Sequence, residues 1–124
     1  MEKIEPVRRP KLTIIGISGY IGAHICLAFL KHDQFKIRGT VRDTKSLSKV
    51  LPLREAYGEN FDKLELVEAN LLDPESISAA VEGSTYVVHV ASPVPLYSVK
   101  NVNRDIIEPA VEGTKAVLEA CKKH

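Results

Sequence analysis

Leu12-Thr13-Ile14-Ile15-Gly16-Ile17-Ser18-Gly19-Tyr20-Ile21-Gly22 is the stretch on which the fold turns. Its first four residues form a short apolar run that ends in glycine, the pattern of a strand buried on both faces. Gly19 to Lys31 follows with Ile21, Ile25, Ala28 and Phe29 at helical spacing. The stretch therefore reads as strand, glycine turn and helix.

Working outward, the same rhythm repeats. Phe35 to Val41 has strand character, and Thr44 to Tyr57 is a weaker helical stretch that Pro52 must start afresh or kink. Lys63 to Val67 alternates as a third strand. Asp73-Pro74 makes a helix start, with Asp73 as N-cap and Pro74 in the first position, where its missing N–H costs nothing; Gly83 is placed to end that helix. Thr85 to Val90 is a β-branched fourth strand, and the region of Pro93 and Pro95 is a loop. Asn101 to Lys123 reads as a long helix with Ile106, Ala110, Val117 and Cys121 on one side. Pro109 should bend this helix or set its effective start, and Gly113 should weaken it. Strand–helix alternation with short connections implies parallel strands and right-handed crossovers, an α/β doubly wound sheet. Residues 1–10, with Pro6 and Pro10, read as a flexible lead-in to a domain over 11–124.

Composition narrows the class. The 124 residues allow one domain and hardly two. Seventeen Lys+Arg against sixteen Asp+Glu leave a net charge of +1, which argues against a nucleic-acid or anionic-membrane partner driven by bulk charge. Cys26 and Cys121 are too few for a disulfide framework or a Cys-x-x-Cys metal site, and each is expected to pack as a small hydrophobe. No apolar run suits a signal peptide or a membrane helix, so the expected location is cytoplasmic. No histidine has a partner that suggests a metal, and His89, in a core strand, is expected to be a satisfied structural residue.

The glycines carry the chemistry. Gly16, Gly19 and Gly22, spaced three and three between a buried strand and a helix start, meet the demand of a dinucleotide pyrophosphate. Gly16 would make the turn, Gly19 would clear the approach, and Gly22 would let the helix sit close to the sheet. The helix start adds unpaired N–H groups and a positive dipole end. No Gly-Lys-Ser/Thr closes the pattern, which disfavours a nucleoside-triphosphate loop. The second strand ends Thr40-Val41-Arg42-Asp43, with Lys45 and Lys49 nearby. A guanidinium at Arg42 suits a 2′-phosphate and favours NADP, whereas Asp43 could reach a 2′-hydroxyl instead.

Gly-x-x-Gly-Tyr-Ile-Gly, Gly39 to Asp43, Asn70 to Asp73, Val88 to Pro93 and Pro109 to Thr114 come in an order that resembles the extended short-chain dehydrogenase/reductases. More narrowly, the series resembles the group of dihydroflavonol reductase and cinnamoyl-CoA reductase, from about Lys11 onward. The resemblance implies a Rossmann-type sheet of four βα units in the order 3-2-1-4, truncated before a fifth strand. It implies an NADP site of Gly16, Ser18, Gly19, Tyr20, Ile21 and Gly22 at the pyrophosphate, and Arg42 with Lys49 at the 2′-phosphate. Asn70 and Leu71 would flank the adenine, and Ala91, Ser92 and Pro93 would pass beside the nicotinamide ribose. Asn70 stands where the group has Asp, which predicts weaker adenine contact, and it is also an ordinary turn residue. Ile15 stands where the group has Thr, which should perturb a turn hydrogen bond.

The reaction implied is hydride transfer between NADPH and a carbonyl, with a tyrosine acid and a lysine four residues later on one helix face. No Tyr-x-x-x-Lys exists among the 124 residues. The expectation is therefore the NADP(H)-binding portion of a carbonyl reductase, inactive alone, with no catalytic residue in this chain. The alternative is a non-catalytic NADP(H)-sensing or regulatory module. A homodimer through the 101–123 helix, or self-association at the fourth-strand edge, is a further expectation.

Overall fold

The computed structural model describes residues 9–90 and 108–124. Its elements run β1 (Lys11–Ile15), α1 (Tyr20–His32), β2 (Lys36–Val41), α2 (Leu47–Tyr57), a 3-10 segment (Gly58–Lys63), β3 (Leu64–Glu68), α3 (Pro74–Val81), β4 (Tyr86–His89) and α4 (Glu108–Lys123). The strands form a parallel sheet in the order β3-β2-β1-β4, as the alternation and the resemblance predict.

Alternate side chains of the sheet bury on opposite faces. Leu12, Ile14, Ile37 and Val41 join Ile17, Cys26, Leu30, Leu53 and Tyr57 under α1 and α2. Ile15 and Ala69 join Ile77, Ala80, Val81, Ala116, Val117 and Ala120 under α3 and α4. The core is thus split by the sheet, which is the physical content of double winding. The strand order reverses between β1 and β4, which puts the crevice of such a sheet at the carboxyl ends of those two strands.

Several local expectations change. α2 begins at Leu47 and runs through Pro52 without a fresh start, while Thr44–Ser46 belong to the preceding loop. Pro52 is exposed there, so its missing N–H leaves a carbonyl that water can satisfy. The 3-10 segment after Gly58 has no counterpart in the sequence reading. α1 buries Gly22, Cys26 and Leu30, so the buried stripe lies one position beyond the expected one, and Ile21 is 62% exposed. Cys121 is exposed rather than packed, because the inner face of α4 is Gly113, Ala116, Val117 and Ala120. Gly113 does more than weaken the helix: the Leu71 side chain lies 3.0 Å from where its Cβ would stand, so the glycine lets α4 approach the β3–α3 connection.

α3 follows expectation closely. Asp73 Oδ1 accepts from Glu75 N–H at 3.2 Å, Pro74 fills the first helical position, and the chain leaves the helix through Gly83 at φ +80°. Among the described residues α4 starts at Glu108 with Pro109 second, the place a proline tolerates. The part of that helix expected over 101–107 lies outside the described residues.

Candidate functional site

The glycine turn sits at the carboxyl end of β1. Gly16 takes φ +94°, a conformation that a Cβ would strain, and so makes the turn expected of it. A Cβ on Gly22 would overlap the Gly16 carbonyl, so α1 crosses the turn at backbone contact only because residue 22 is glycine. Gly19 differs: among the described residues a Cβ there would meet nothing within 4 Å. The space above Gly19 is open, and it faces the start of α1.

Among the described residues that helix start is left bare. Gly19 offers no side-chain cap, no acidic residue stands in the first turn, and the first helical bond runs from Ala23 N–H to the Gly19 carbonyl at 2.9 Å. The N–H groups before Ala23 therefore have no helical acceptor. α3 shows the contrast, since Asp73 caps it and Glu75 neutralises its dipole. Ser18, Tyr20 and Ile21 flank the turn and are all exposed; the Tyr20 ring stacks edge-on to His24 at 4.6 Å.

The turn is tied to β2. Ile17 N–H donates to the Thr40 carbonyl at 3.1 Å, and Gly16 N–H donates to Thr40 Oγ1 at 3.0 Å. The turn thus finds its hydroxyl partner one strand over, where Thr40 stands opposite Ile15. The Ile17 side chain fills the place of the missing Cβ of Gly39 and is wholly buried. Sequence reading passed over Ile17 and Thr40. A buried threonine in a strand is the signal that points to such a partner.

Arg42 and Asp43 begin the loop after β2 and are exposed. Arg42 has no ion pair or hydrogen-bond partner among the described residues. Asp43 Oδ1 accepts from Lys45 N–H at 2.9 Å, and its carbonyl accepts from Ser46 N–H at 3.2 Å. One oxygen of its carboxylate is thereby bonded within the loop. Lys49 is exposed in the first turn of α2. Glu68, at the end of β3, accepts from Thr44 Oγ1 at 2.8 Å and Thr44 N–H at 3.1 Å, and these bonds hold its carboxyl below the usual range.

Asn70 and Leu71 follow β3. Asn70 Oδ1 accepts from Leu72 N–H at 3.0 Å, an Asx turn, so the ordinary turn role expected as its alternative is in place. Leu71 packs onto Gly113 and the cluster under α3 and α4. Ala91, Ser92 and Pro93 lie outside the described residues. His89 departs from expectation. Its Nδ1 is buried without a partner among the described residues, and burial lowers the imidazole pKa. Cys26 is buried against Tyr57, which donates to the Ala23 carbonyl at 2.6 Å, and burial raises the thiol to about 11. No described helix is long and apolar enough to cross a membrane.

Known proteins share this arrangement. The chain is 33% identical over 110 residues to dihydroflavonol 4-reductase of Zea mays, covering 89% of this chain and 30% of that protein. It is 36% identical to cinnamoyl-CoA reductase CAD2 of Medicago truncatula, covering 89% of this chain and 33% of that one. Among solved structures, yeast methylglyoxal/isovaleraldehyde reductase Gre2 complexed with NADPH superposes with a TM-score of 0.75 at 28% identity, over 91% of this chain and 33% of that one. Vestitone reductase from alfalfa (Medicago sativa) gives 0.65 at 26% identity, over 91% and 32%. The chain thus spans about a third of the length of these relatives. Residues 13–124 match the 3-beta hydroxysteroid dehydrogenase/isomerase family, and the chain belongs to it.

Proposed function

We propose that this chain is the NADP(H)-binding portion of an oxidoreductase that transfers hydride between NADPH and a carbonyl or alcohol. One observation carries the reading: an uncapped helix start over an open glycine turn lies on the same sheet end as the loop of Arg42. The residues fit the group. The space above Gly19 accepts a pyrophosphate, and the bare N–H groups of α1 suit its charge. Ser18, Tyr20 and Ile21 border that space, with Gly16 and Gly22 shaping it. Arg42, with Lys49, takes the 2′-phosphate, and Oδ1 of the neighbouring Asp43 accepts from Lys45 N–H within the loop. We assign Asn70 and Leu71 to the adenine, and Ala91, Ser92 and Pro93, which lie outside the described residues, to the nicotinamide ribose. Bound NADPH supplies the hydride. The named relatives, reductases of which one is complexed with NADPH, support the reading.

Titration of NADPH and NADH against wild type and Arg42→Ala tests it. NADPH binding should weaken about tenfold, the scale of a lost charge-assisted hydrogen bond, with little change for NADH. Equal losses for both would refute the 2′-phosphate role.

The alternative reading is a non-catalytic NADP(H)-sensing or regulatory module. Clear turnover of aromatic aldehydes or ketones by the chain alone would refute that reading and our expectation that the chain is inactive alone. The proposal extends to a domain over 11–124 behind a short lead-in, a cytoplasmic location, and self-association through the 101–123 helix or the β4 edge.

A further inference from the structure

Ser46 ties the loop Arg42–Ser46 to the start of α2 through Ser48, Lys49 and Val50; apart from these bonds its anchor among the described residues is Glu68. β2 and β3 are parallel neighbours with Val41 opposite Glu68, and Ala69 N–H extends the ladder to the Val41 carbonyl at 2.9 Å. The strand ends therefore lie side by side, and the Glu68 side chain reaches across to the loop that leaves β2. Its Oε1 takes both donors of Thr44, the hydroxyl at 2.8 Å and the N–H at 3.1 Å. Asp43 closes the loop from within through Lys45 N–H and Ser46 N–H.

The pairing has an electrostatic side. The loop and the start of α2 carry three cations, Arg42, Lys45 and Lys49, and two carboxylates meet the loop, Asp43 from within it and Glu68 through Thr44. Both carboxylates are bonded to neutral donors of the loop, and among the described residues neither forms an ion pair with the cations. A glutamate left loose at this corner would compete with a phosphate for Arg42. Bound to Thr44, it orders the loop instead.

We propose that Glu68 is a positioning residue that acts through Thr44 to hold the Arg42 loop for the 2′-phosphate, and so sets the preference for NADP(H) over NAD(H). The inference rests on the dinucleotide reading above and assigns its specificity to a residue outside the glycine turn and the arginine. Glu68 touches the loop, and the loop touches the cofactor.

Dissociation constants for NADPH and NADH should be measured by calorimetry on wild type, Glu68→Ala, Glu68→Gln and Thr44→Val, with thermal unfolding as a check that each variant folds. Glu68→Ala should weaken NADPH about fivefold, the scale of one net hydrogen bond, and leave NADH within about twofold. Glu68→Gln, whose amide oxygen accepts from the same two donors, should recover most of the loss. Thr44→Val keeps the N–H and should fall between. Tighter NADPH binding in both Glu68 variants would overturn the proposal, since the carboxylate would then act only as a nearby negative charge. Unchanged discrimination in Glu68→Ala, or equal losses for both nucleotides, would overturn it while leaving the dinucleotide reading intact. A wild type that binds neither nucleotide would remove that reading and this proposal together, whereas one that binds both alike would overturn this proposal and leave the dinucleotide site standing.

Discussion

Gly19 and Gly22 stand three positions apart and answer to different constraints. At Gly22 the neighbour is the Gly16 carbonyl, a backbone atom that cannot step aside. At Gly19 the neighbour is open space, and its φ of −82° suits any residue. Alanine should separate the two roles. Gly22→Ala should cost about 2–3 kcal/mol by overpacking, seen as a lower urea midpoint. Gly19→Ala should leave stability within about 1 kcal/mol yet weaken NADPH binding, because its methyl group enters the space assigned to phosphate. Loss of stability at 19, or full binding there, would contradict the assignment. The glycines were legible because spacing and context demand them. Ile17 was not. It lies in a turn, where sequence offers no period, and its burial depends on Gly39 of another strand.

At the scale of elements, Arg38 joins three of them. From β2 it donates to Glu65 of β3 at 3.0 Å and to the carbonyls of Ala80 and Glu82 at the end of α3, at 2.7 and 2.9 Å. Lys11 of β1 adds an ion pair to Glu65 at 3.6 Å. The hydrogen bond from Arg38 holds the Glu65 carboxyl below its ordinary value of 4.5, with smaller help from the charges of Arg38 and Lys11. A carboxylate with a lowered pKa contributes stability above its unfolded value and loses that contribution as pH falls through the folded one. Glu65→Gln should therefore be less stable than wild type at neutral pH, by under about 1 kcal/mol because the carboxylate is half exposed, and the gap should close below about pH 4.5. Urea midpoints across that range check it, and a constant gap would contradict it. Element order was readable from two periods, that of strands and that of helices. Boundaries and faces were less so. Pro52 suggested a break that its exposed position does not require, and Cys121 lies one residue off the stripe that α4 buries. The link from Glu68 to Thr44 joins residues 24 apart, and no local pattern announces it.

For the molecule as a whole, the sheet between two half-cores has β4 at one end, bonded to β1 alone among the described residues. Val87 and Val88 pack inward, so the edge is open through its backbone rather than its side chains. An unpaired ladder of this kind favours association. Sedimentation velocity should show the average mass rising with concentration; a monomer at every concentration would refute it. The order β3-β2-β1-β4 follows from the alternation together with the resemblance.

The seating of Ile17 in the gap at Gly39, with Thr40 holding both N–H groups of the turn, has a thermodynamic consequence. The glycine turn and the strand that leads to Arg42 are locked together by the protein's own contacts. Little ordering entropy remains for binding to supply on this side of the sheet, so the heat-capacity change on association should reflect the surface covered rather than a coupled folding step. Under the proposed function, that interlock makes this corner a receptor shaped before binding, which the heat-capacity measurement tests.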